Sequence, residues 1–268
     1  MKPAVLTPID ELDPDVLKSV RCVFSDIDET ISTRGKILPR AFAAMWKLHE
    51  AGIRFVPVTG RAAGWCDHIA RFWPVDAVVG ENGGFYFYFD GKKLHQRYMH
   101  DDATRKKFRD RLQKIRRRAL AEVPGCGIAS DQHYREYDLA IDFCEDVPPL
   151  EREDVLRIQQ IFEEEGAHAK ISSIHVNGWY GEFDKLSTSV LCARELLGID
   201  PEEENRAFIY CGDSPNDAPM FGYFDLSFGM ANVRPFLDIL PEKPGYVTRS
   251  ESGDGFAEVV DLLVQARG

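Results

Sequence analysis

Two aspartates spaced two residues apart follow directly after an apolar segment near the N-terminus. The run 21–24 is typical of a short buried strand, and Asp26, Asp28 and Thr30 come next. On an extended segment alternate residues point the same way, so Asp26 and Asp28 are expected to face one small volume. Two crowded carboxylates repel each other, and a cation or a shared proton relieves that repulsion. The spacing therefore indicates acid–base or metal chemistry at the end of a strand.

Further segments along the chain place polar residues at comparable points. They are the residues after an apolar strand at 53–58 (Thr59, Gly60, Arg61), the start of a helical run (Lys185), and the residues after an apolar strand at 207–211 (Asp213, Asn216, Asp217). In open α/β sheets, ligands bind at the carboxyl ends of the strands. We therefore expect these residues to meet at one edge of a parallel sheet.

The order of predicted elements indicates two kinds of structure. Strands and helices alternate up to residue 80, which predicts a parallel sheet covered by helices. From residue 85 the pattern changes to paired strands with single helices, including a hairpin at 85–99 and a strand at 168–176. From residue 184 the alternation resumes. We predict a Rossmann-like α/β core, residues 1–84 and 182–268, with an inserted α+β unit at 85–181.

The ordered set DxDxT, TGR, Lys and GDxxND resembles the four motifs of the haloacid dehalogenase superfamily of phosphohydrolases. The resemblance covers most of the chain. The stretch Glu81-Asn82-Gly83 and the long insertion before Lys185 look like the subgroup with a C2-type cap, which includes sugar-phosphate phosphatases and phosphomannomutases. The resemblance implies a phosphatase that uses Mg²⁺ and an aspartyl-phosphate intermediate. Its expected substrate is a small phosphorylated metabolite, a sugar phosphate.

The resemblance also implies a role for each motif residue. Asp26 is the expected nucleophile, and Asp28 the general acid and then the general base. Asp26, Asp28 through its backbone carbonyl, and Asp213 are the expected Mg²⁺ ligands. Thr59 and Lys185 complete the catalytic set by holding the phosphate. Residues expected around the phosphate or just behind it are Thr30, Gly60, Arg61, Asn216 and Asp217, the last to bind a metal-bound water or to orient Lys185.

Specificity must come from the inserted unit, because the four motifs contact only the phosphate. His175 and Asn177 share one face of a predicted strand and suit sugar hydroxyls, with Trp179 as an apolar platform; a solvent-facing surface is the alternative. Asn82 is expected to donate from a nearby loop. Glu29 stands where many relatives have glycine. A third carboxylate aimed at a phosphate is repulsive, so we expect Glu29 to point away and to meet the cap or a substrate group.

The bulk composition limits the class of partner and the location. A net charge of −11 over 268 residues argues against nucleic acid or an anionic membrane as the main partner. Six scattered cysteines without a CxxC pair are typical of a reduced, cytoplasmic protein. The basic run 105–118 is interpreted as the solvated face of a helix, or else as a steering patch for phosphorylated substrates or an acidic partner. The composition does not predict the oligomeric state.

Other functions and roles fit parts of the pattern. A phosphosugar mutase of the same cap subgroup returns the phosphoryl group to the sugar. A regulatory module phosphorylated on Asp26 needs no turnover, but receiver domains run to roughly half this length and lack an insertion. For single residues, Asp26 as a metal ligand alone, Thr59 as a helix N-cap and Lys185 as a surface lysine also stay open.

Overall fold

The structure is a computed structural model that describes residues 6–172 and 174–267. Its strands are β1 Thr7–Pro8, β2 Cys22–Ser25, β3 Arg54–Pro57, β4 Val78–Gly80, β5 Phe85–Phe89, β6 Leu94–Tyr98, β7 Gly127–Ile128, β8 Leu139–Asp142, β9 His168–Ile171, β10 His175–Trp179, β11 Phe208–Gly212, β12 Leu226–Gly229 and β13 Tyr246–Val247. Its α-helices are α1 Pro39–Glu50, α2 Ala63–Phe72, α3 Asp102–Glu122, α4 Arg152–Glu164, α5 Lys185–Cys192, α6 Ala218–Tyr223 and α7 Ser252–Arg267. Short 3-10 helices include Glu81–Gly83, Pro215–Asp217 and Ala231–Phe236.

A six-stranded parallel sheet in the order β1-β13-β12-β11-β2-β3 forms the core. Every residue of the neighbouring strands β2 and β11 is buried, as expected for strands covered on both faces. Val23 and Ile209 pack with α1 and α7 on one face, while Phe24 and Tyr210 pack with α5 and α6 on the other. This architecture confirms the predicted Rossmann-like α/β core.

A hairpin of β5 and β6 extends this layer. β5 pairs antiparallel with both β4 and β6, and β4 meets the end of β3 through a parallel bridge between Val58 and Val79. Phe85 and Phe87 are fully buried in the same core cluster as α1 and α2. These contacts favour an inserted unit that begins near residue 100 rather than at 85, and the division into domains stays a prediction.

A four-stranded antiparallel sheet, in the order β7-β8-β10-β9, forms a second layer. Its core packs Ile115 of α3 and Phe162 of α4 against Ile141 and Val176. The single strand predicted over 168–176 is wrong. The chain instead forms two strands, β9 and β10, that pair antiparallel. Where it reverses between them, the Ser172 amide donates to the His175 carbonyl at 2.8 Å.

Ion pairs within this second layer involve much of the basic run 105–118. Arg118 reaches Glu164 and Glu165, both at 2.6 Å, and so ties α3 to the end of α4. Arg105 is buried 3.6 Å from the centre of the Tyr98 ring. These contacts show that part of the charge has a structural use.

Two further observations bear on the predicted environment of the protein. Cys22, Cys66, Cys192 and Cys211 are buried free thiols. Within 6–172 and 174–267, no helix combines the length and apolar character that a bilayer crossing needs.

Candidate active site

The neighbouring strands β2 and β11 of the parallel sheet end side by side, and the residues that follow them lie in contact. The Asp26 amide, after β2, donates to the Cys211 carbonyl of β11 at 2.9 Å. The Thr30 hydroxyl donates to Asp213 Oδ1 at 3.0 Å. A cavity of about 650 Å³ opens at this edge. The predicted site residues that line it are Asp26, Asp28, Gly60, Arg61, Asn82, His175, Asn177, Asp213 and Asn216. Thr30, Thr59, Lys185 and Asp217 are buried around it.

Lys185 joins the first and last motifs. Its Nζ lies 2.6 Å from Asp26 Oδ1 and 3.1 Å from Asp217 Oδ1. It is the first residue of α5, whose N-terminus is fixed by the side chain of Asp184 accepting the Ser187 amide at 2.7 Å. Burial opposes the charge, but the Asp217 and Asp26 carboxylates raise the pKa of Lys185 above its usual value. Lys185 is therefore a buried cation, which excludes the surface alternative.

The Asp217 carboxylate is held by neighbouring groups of the protein on both of its oxygens. Its Oδ1 accepts from Lys185 and, at 2.6 Å, from the Tyr210 hydroxyl. Its Oδ2 accepts from the amides of Asp213 at 3.0 Å and Ser214 at 3.2 Å. Of the two roles predicted for Asp217, orienting Lys185 is the one that these contacts fit.

Asp26, Asp213 and Asp217 form a buried acidic cluster whose ligand atoms lie within 4.8 Å of one another. The Lys185 ammonium balances only one of the three charges that these carboxylates carry when all are ionised. Burial raises the pKa of Asp26 to about 7, with Asp217 and Asp28 adding to the shift and Lys185 opposing it. Burial likewise raises the pKa of Asp213 well above its usual value. A hard divalent cation such as Mg²⁺ fits this charge and donor set, and Asp26 and Asp213 are the residues best placed to hold it.

The side chain of Asp28 forms a salt bridge with Arg61. Arg61 donates from Nε to Asp28 Oδ2 at 3.0 Å and from Nη2 to Oδ1 at 2.8 Å, the bidentate geometry that makes strong pairs. Arg61 Nη1 also lies 3.8 Å from Glu145 Oε1 in the second layer. Because both Asp28 oxygens accept hydrogen bonds from Arg61, the carboxylate can take up or give a proton only after Arg61 shifts.

Thr59 lies beneath the loop that carries Gly60 and Arg61. It is fully buried, and its hydroxyl accepts the Arg61 amide at 3.0 Å. The alternative in which Thr59 caps the next helix is wrong, because Ala62 occupies that N-cap position. A Cβ on Gly60 would lie 3.2 Å from Asn82 Oδ1, so the small residue lets the two loops approach.

Glu29 points away from the acidic cluster, as predicted. Its backbone is in the left-handed region, with φ +58°. Its carboxylate accepts from the Gly35 amide and from the Ser252 hydroxyl, both at 3.3 Å. Glu29 therefore contacts the following turn and the start of α7, and not the second layer.

Asn232 belongs to the site but was missed by sequence reasoning. Its Nδ2 donates to Asp213 Oδ2 and to the Glu29 carbonyl, both at 3.0 Å. Its Oδ1 accepts the Ser252 amide at 2.9 Å. Asn232 thus fixes Asp213 from the loop after β12. Because ligands bind at strand ends, the position of Asn232 shortly after β12 could have indicated a site residue.

Glu81 links the two layers, and the sequence did not indicate its hydrogen bonds to the second layer. It is completely buried and accepts the Ala63 amide at 3.0 Å and the amides of residues 136–138 at 2.6–3.1 Å. Burial raises its pKa to about 8, with Asp138 adding to the shift and Arg135 opposing it. Glu81 therefore attaches the loop before β8 to the start of α2.

Arg135 crosses between the layers beside Glu81. Its Nη1 donates to the Gly60 carbonyl at 3.1 Å and to Asp138 Oδ1 at 2.9 Å, and its Nε donates to Asp131 at 3.0 Å. Asp138 in turn accepts from Asn177 Nδ2 at 3.0 Å. No local sequence pattern indicated these contacts, which depend on how the two layers meet.

The wall opposite the acidic cluster comes from β10. His175 and Asn177 are 3% and 5% exposed and both line the cavity, which excludes the solvent-facing alternative. The prediction of Trp179 as an apolar platform is wrong, because its ring is buried in the core and stacks on Phe183 with a centroid separation of 5.9 Å.

The chain is similar in part to one protein family and in overall fold to several solved structures. Residues 23–123 match the family of haloacid dehalogenase-like hydrolases. No curated protein matches the chain. A Thermoplasma acidophilum structure is similar with TM-score 0.69 and 18% identity, covering 91% of this chain and 98% of that one.

Two other similar structures have names that describe phosphatases. The sucrose-phosphatase from Synechocystis in complex with sucrose and phosphate has TM-score 0.62 and 14% identity, covering 92% of this chain and 98% of that one. A trehalose-6-phosphate phosphatase related protein has TM-score 0.61 and 15% identity, covering 91% and 97%. At these identities the likeness establishes the fold, the same haloacid dehalogenase-type α/β fold that the motifs predicted.

Proposed function

We propose that this protein is a haloacid dehalogenase-like hydrolase, a Mg²⁺-dependent phosphatase that acts on a small phosphorylated metabolite, a sugar phosphate, through an aspartyl phosphate. The observation that carries the proposal is the buried Lys185 ammonium between Asp26 and Asp217, with Asp213 beside them at the carboxyl edge of a parallel sheet. This arrangement supports Asp26 as the nucleophile, Lys185 as the cation for the phosphate, and Asp26 and Asp213 as donors for a divalent metal.

In the first step, an Asp26 carboxylate oxygen attacks the phosphorus of the substrate and the bond from phosphorus to the leaving oxygen breaks. Asp28 gives its proton to that oxygen, so the product leaves as a neutral alcohol. Lys185 holds the phosphate against Asp26 and stabilises the charge that gathers on its oxygens. For this step Arg61 moves off the Asp28 carboxylate.

In the second step, a water molecule attacks the phosphorus of the aspartyl phosphate. Asp28 takes the proton from that water, the bond from phosphorus to Asp26 breaks, and inorganic phosphate leaves. The bidentate contact from Arg61 is broken for this step as well, so that an Asp28 oxygen is free to accept the proton. Gly60 and Thr59 shape the loop against the phosphate.

Asp26 and Asp213 are the residues that would hold Mg²⁺, with the Asp28 backbone carbonyl as the third protein ligand implied by the resemblance. The cation would neutralise Asp26 against the incoming phosphate and orient the reacting groups. Thr30 and Asn232 hold the two oxygens of Asp213, and so set the direction of its carboxylate.

We propose that the second layer is the cap domain, which recognises the leaving group of the substrate and so determines specificity. His175 and Asn177 face the cavity and suit sugar hydroxyls, with Asn82 near the phosphate. The names of the sucrose-phosphatase and the trehalose-6-phosphate phosphatase related protein support a sugar phosphate as the substrate class. The buried free thiols support a location in the reducing cytoplasm.

A screen of phosphorylated metabolites, with released phosphate as the readout and Mg²⁺ present, tests the proposal. We expect turnover of one or more sugar phosphates, its loss in excess chelator, and its return with added Mg²⁺. Asp26→Asn is the matched control and is expected to release no phosphate. Full turnover in excess chelator, or turnover by Asp26→Asn, would contradict the proposal.

A further inference from the structure

The helix α1 is apolar on its outward side as well as on its inward side. The inward residues pack in the core with α7 and are Ala41, Ala44, Met45 and Leu48. A helix on the surface of a globular protein usually carries polar residues on the side away from the core. The first two turns of α1 carry on that side four exposed apolar residues, Pro39, Phe42, Ala43 and Trp46.

The large apolar side chains of this outward side form a continuous stripe. Leu38, Phe42 and Trp46 are 40%, 36% and 44% exposed and follow one another at intervals of four residues, the spacing of neighbours on one face of a helix. These three residues are the α1 stripe. Single exposed apolar side chains are ordinary on a protein surface, but a contiguous apolar surface indicates a site of contact with another molecule.

Neighbouring contacts hold the α1 stripe in place. Arg40 Nη1 lies 3.3 Å from Asp254 Oδ1, and Lys47 Nζ lies 2.5 Å from Asp261 Oδ1, so both basic side chains of the helix are directed to α7. The rings of Trp46 and His49 meet edge to face with their centroids 5.5 Å apart. A surface that is already ordered loses less conformational entropy on binding, which suits the stripe to association.

The two ends of the α1 stripe carry opposite charges. Arg34 and Lys36 lie in the turn before α1, and Glu50 is the last residue of the helix. All three side chains are exposed and lack an ion-pair partner within residues 6–172 and 174–267. A second α1 helix packed antiparallel brings each Glu50 towards the basic turn of the other copy, whereas a parallel helix brings like charges together. The surface is therefore complementary to itself.

We propose that the α1 stripe is the interface of a symmetric homodimer in which two copies of α1 pack antiparallel about Phe42. A two-fold axis requires one surface that matches itself, and the apolar centre with oppositely charged ends meets that requirement. Leu38 of each copy then packs on Trp46 of the other. None of the three stripe residues lines the active-site cavity, so the inference does not depend on the proposed function.

The size of the α1 stripe predicts a reversible dimer. An aromatic side chain has about 150–250 Å² to bury. With 36% and 44% of their surface exposed, Phe42 and Trp46 together offer roughly 150 Å² per copy. Even with the smaller residues added, the interface stays below the roughly 1,200–2,000 Å² of a stable complex. We therefore expect a dissociation constant on the order of 10 μM.

Sedimentation velocity of the full chain over roughly 1–200 μM tests the inference. We expect the sedimentation coefficient to rise from that of a monomer to that of a dimer, and Trp46→Ala to raise the dimer Kd by about tenfold or more. Phe72→Ala is the matched control. Phe72 is an aromatic residue on α2 that is 71% exposed, so non-specific apolar association would depend on it more than on Trp46. We expect Phe72→Ala to leave the Kd unchanged.

Charge reversal distinguishes a second copy of this chain from a different partner. Glu50→Arg places like charges at both ends of the dimer and is expected to raise the Kd by about threefold or more. Adding Arg34→Glu and Lys36→Glu to the same chain restores the opposite charges and is expected to return the Kd to within about threefold of wild type. Glu153→Arg, at an exposed position on α4, is the control for the change in net charge and is expected to have no effect.

Unfolding in denaturant guards against an effect on folding. Because the substituted side chains are exposed, every variant is expected to unfold at the wild-type midpoint. A wild-type protein that stays monomeric at the highest concentration would mean that another molecule covers the α1 stripe, and it would overturn the inference. Equal weakening by Phe72→Ala and Trp46→Ala, or charge reversals that do not rescue each other, would overturn it as well.

Discussion

Lys185 Nζ and Asp26 Oδ1 lie 2.6 Å apart in the core, although 159 residues separate them in the chain. They come from different elements: Asp26 follows directly after β2, and Lys185 is in the first turn of α5. Asp217 holds the same ammonium from the other side at 3.1 Å. The pair therefore depends on the complete fold, and Lys185 opposes the rise in the pKa of Asp26 that burial causes.

Lys185→Met tests this pair. The change removes the cation that we propose holds the phosphate, and it leaves Asp26 and Asp217 buried without a positive partner. We expect kcat for phosphate release to fall by about a hundredfold or more. We also expect the free energy of unfolding to fall by about 3–5 kcal/mol, the usual cost of breaking a buried pair.

Lys114→Met is the matched control, because Lys114 is exposed and pairs with Glu165 on the surface of the second layer. It is expected to keep wild-type activity and to lose no more than about 1 kcal/mol of stability. Phosphate release by Lys185→Met at the wild-type rate would remove Lys185 from the catalytic set.

Glu29→Gly tests the departure from the family motif. Glycine adopts the left-handed backbone of Glu29 at about 1–2 kcal/mol lower cost, and this gain offsets the loss of the two long hydrogen bonds to Gly35 and Ser252. We expect stability within about 1 kcal/mol of wild type, activity on acetyl phosphate within about threefold, and altered selectivity among larger substrates, because Glu29 borders the cavity.

Arg34→Gly is the control for the backbone effect, since Arg34 has φ +52° in the same turn but is exposed and does not line the cavity. It is expected to leave the substrate profile unchanged. A uniform loss of activity on every substrate with Glu29→Gly would show that Glu29 takes part in the phosphoryl chemistry.

The titration of His175 gives a prediction for stability against pH. Burial, aided by Arg135 and Arg61 and opposed by Asp142 and Asp131, lowers the pKa of His175 to about 4 from 6.5. As pH falls, the unfolded chain binds this proton before the folded one does, so stability present above pH 6.5 is lost on the way to pH 4. At pH 5 the loss is about 2 kcal/mol relative to pH 7.

Denaturant unfolding of wild type and His175→Asn at pH 7 and pH 5 measures this effect. The difference between the two proteins is expected to shrink by about 2 kcal/mol at the lower pH, because asparagine binds no proton. His168→Asn, an exposed histidine on the neighbouring strand, is the control. An unchanged difference would mean that Glu145, 2.9 Å from His175 Nε2, keeps the ring protonated.

The candidate site at this edge of the sheet was predictable from the sequence because the DxDxT, TGR and GDxxND motifs each follow an apolar run. Asp26 and Asp213 had to lie near each other once β2 and β11 were recognised as parallel strands. Lys185 was found by its position in the order of motifs.

The contacts between layers were not predictable in this way. Glu81 accepts amides from residues 136–138, and Arg135 donates to the Gly60 carbonyl, across separations that no local pattern records. The single strand predicted at 168–176 failed for a related reason. Val176 and its neighbours pair with β8 as well as β9, and the pairing partners, not the composition, determine where the chain turns.

The most direct test of the account uses Asp28→Asn, because this change keeps the side-chain shape and the backbone carbonyl but removes the proton chemistry. With nitrophenyl phosphate the first step needs little protonation of the leaving oxygen, so it partly survives. The second step is expected to slow by about 10²–10⁴ for want of a general base. Phosphate should then accumulate on the protein.

The measurement is intact-mass analysis of Asp28→Asn mixed with nitrophenyl phosphate and Mg²⁺, followed by peptide mapping. We predict a burst of nitrophenol and one phosphoryl group per chain, located on Asp26, with neither in Asp26→Asn. A phosphoryl group on another residue, or turnover of Asp28→Asn at the wild-type rate with no labelled protein, would contradict the assignment of these two carboxylates.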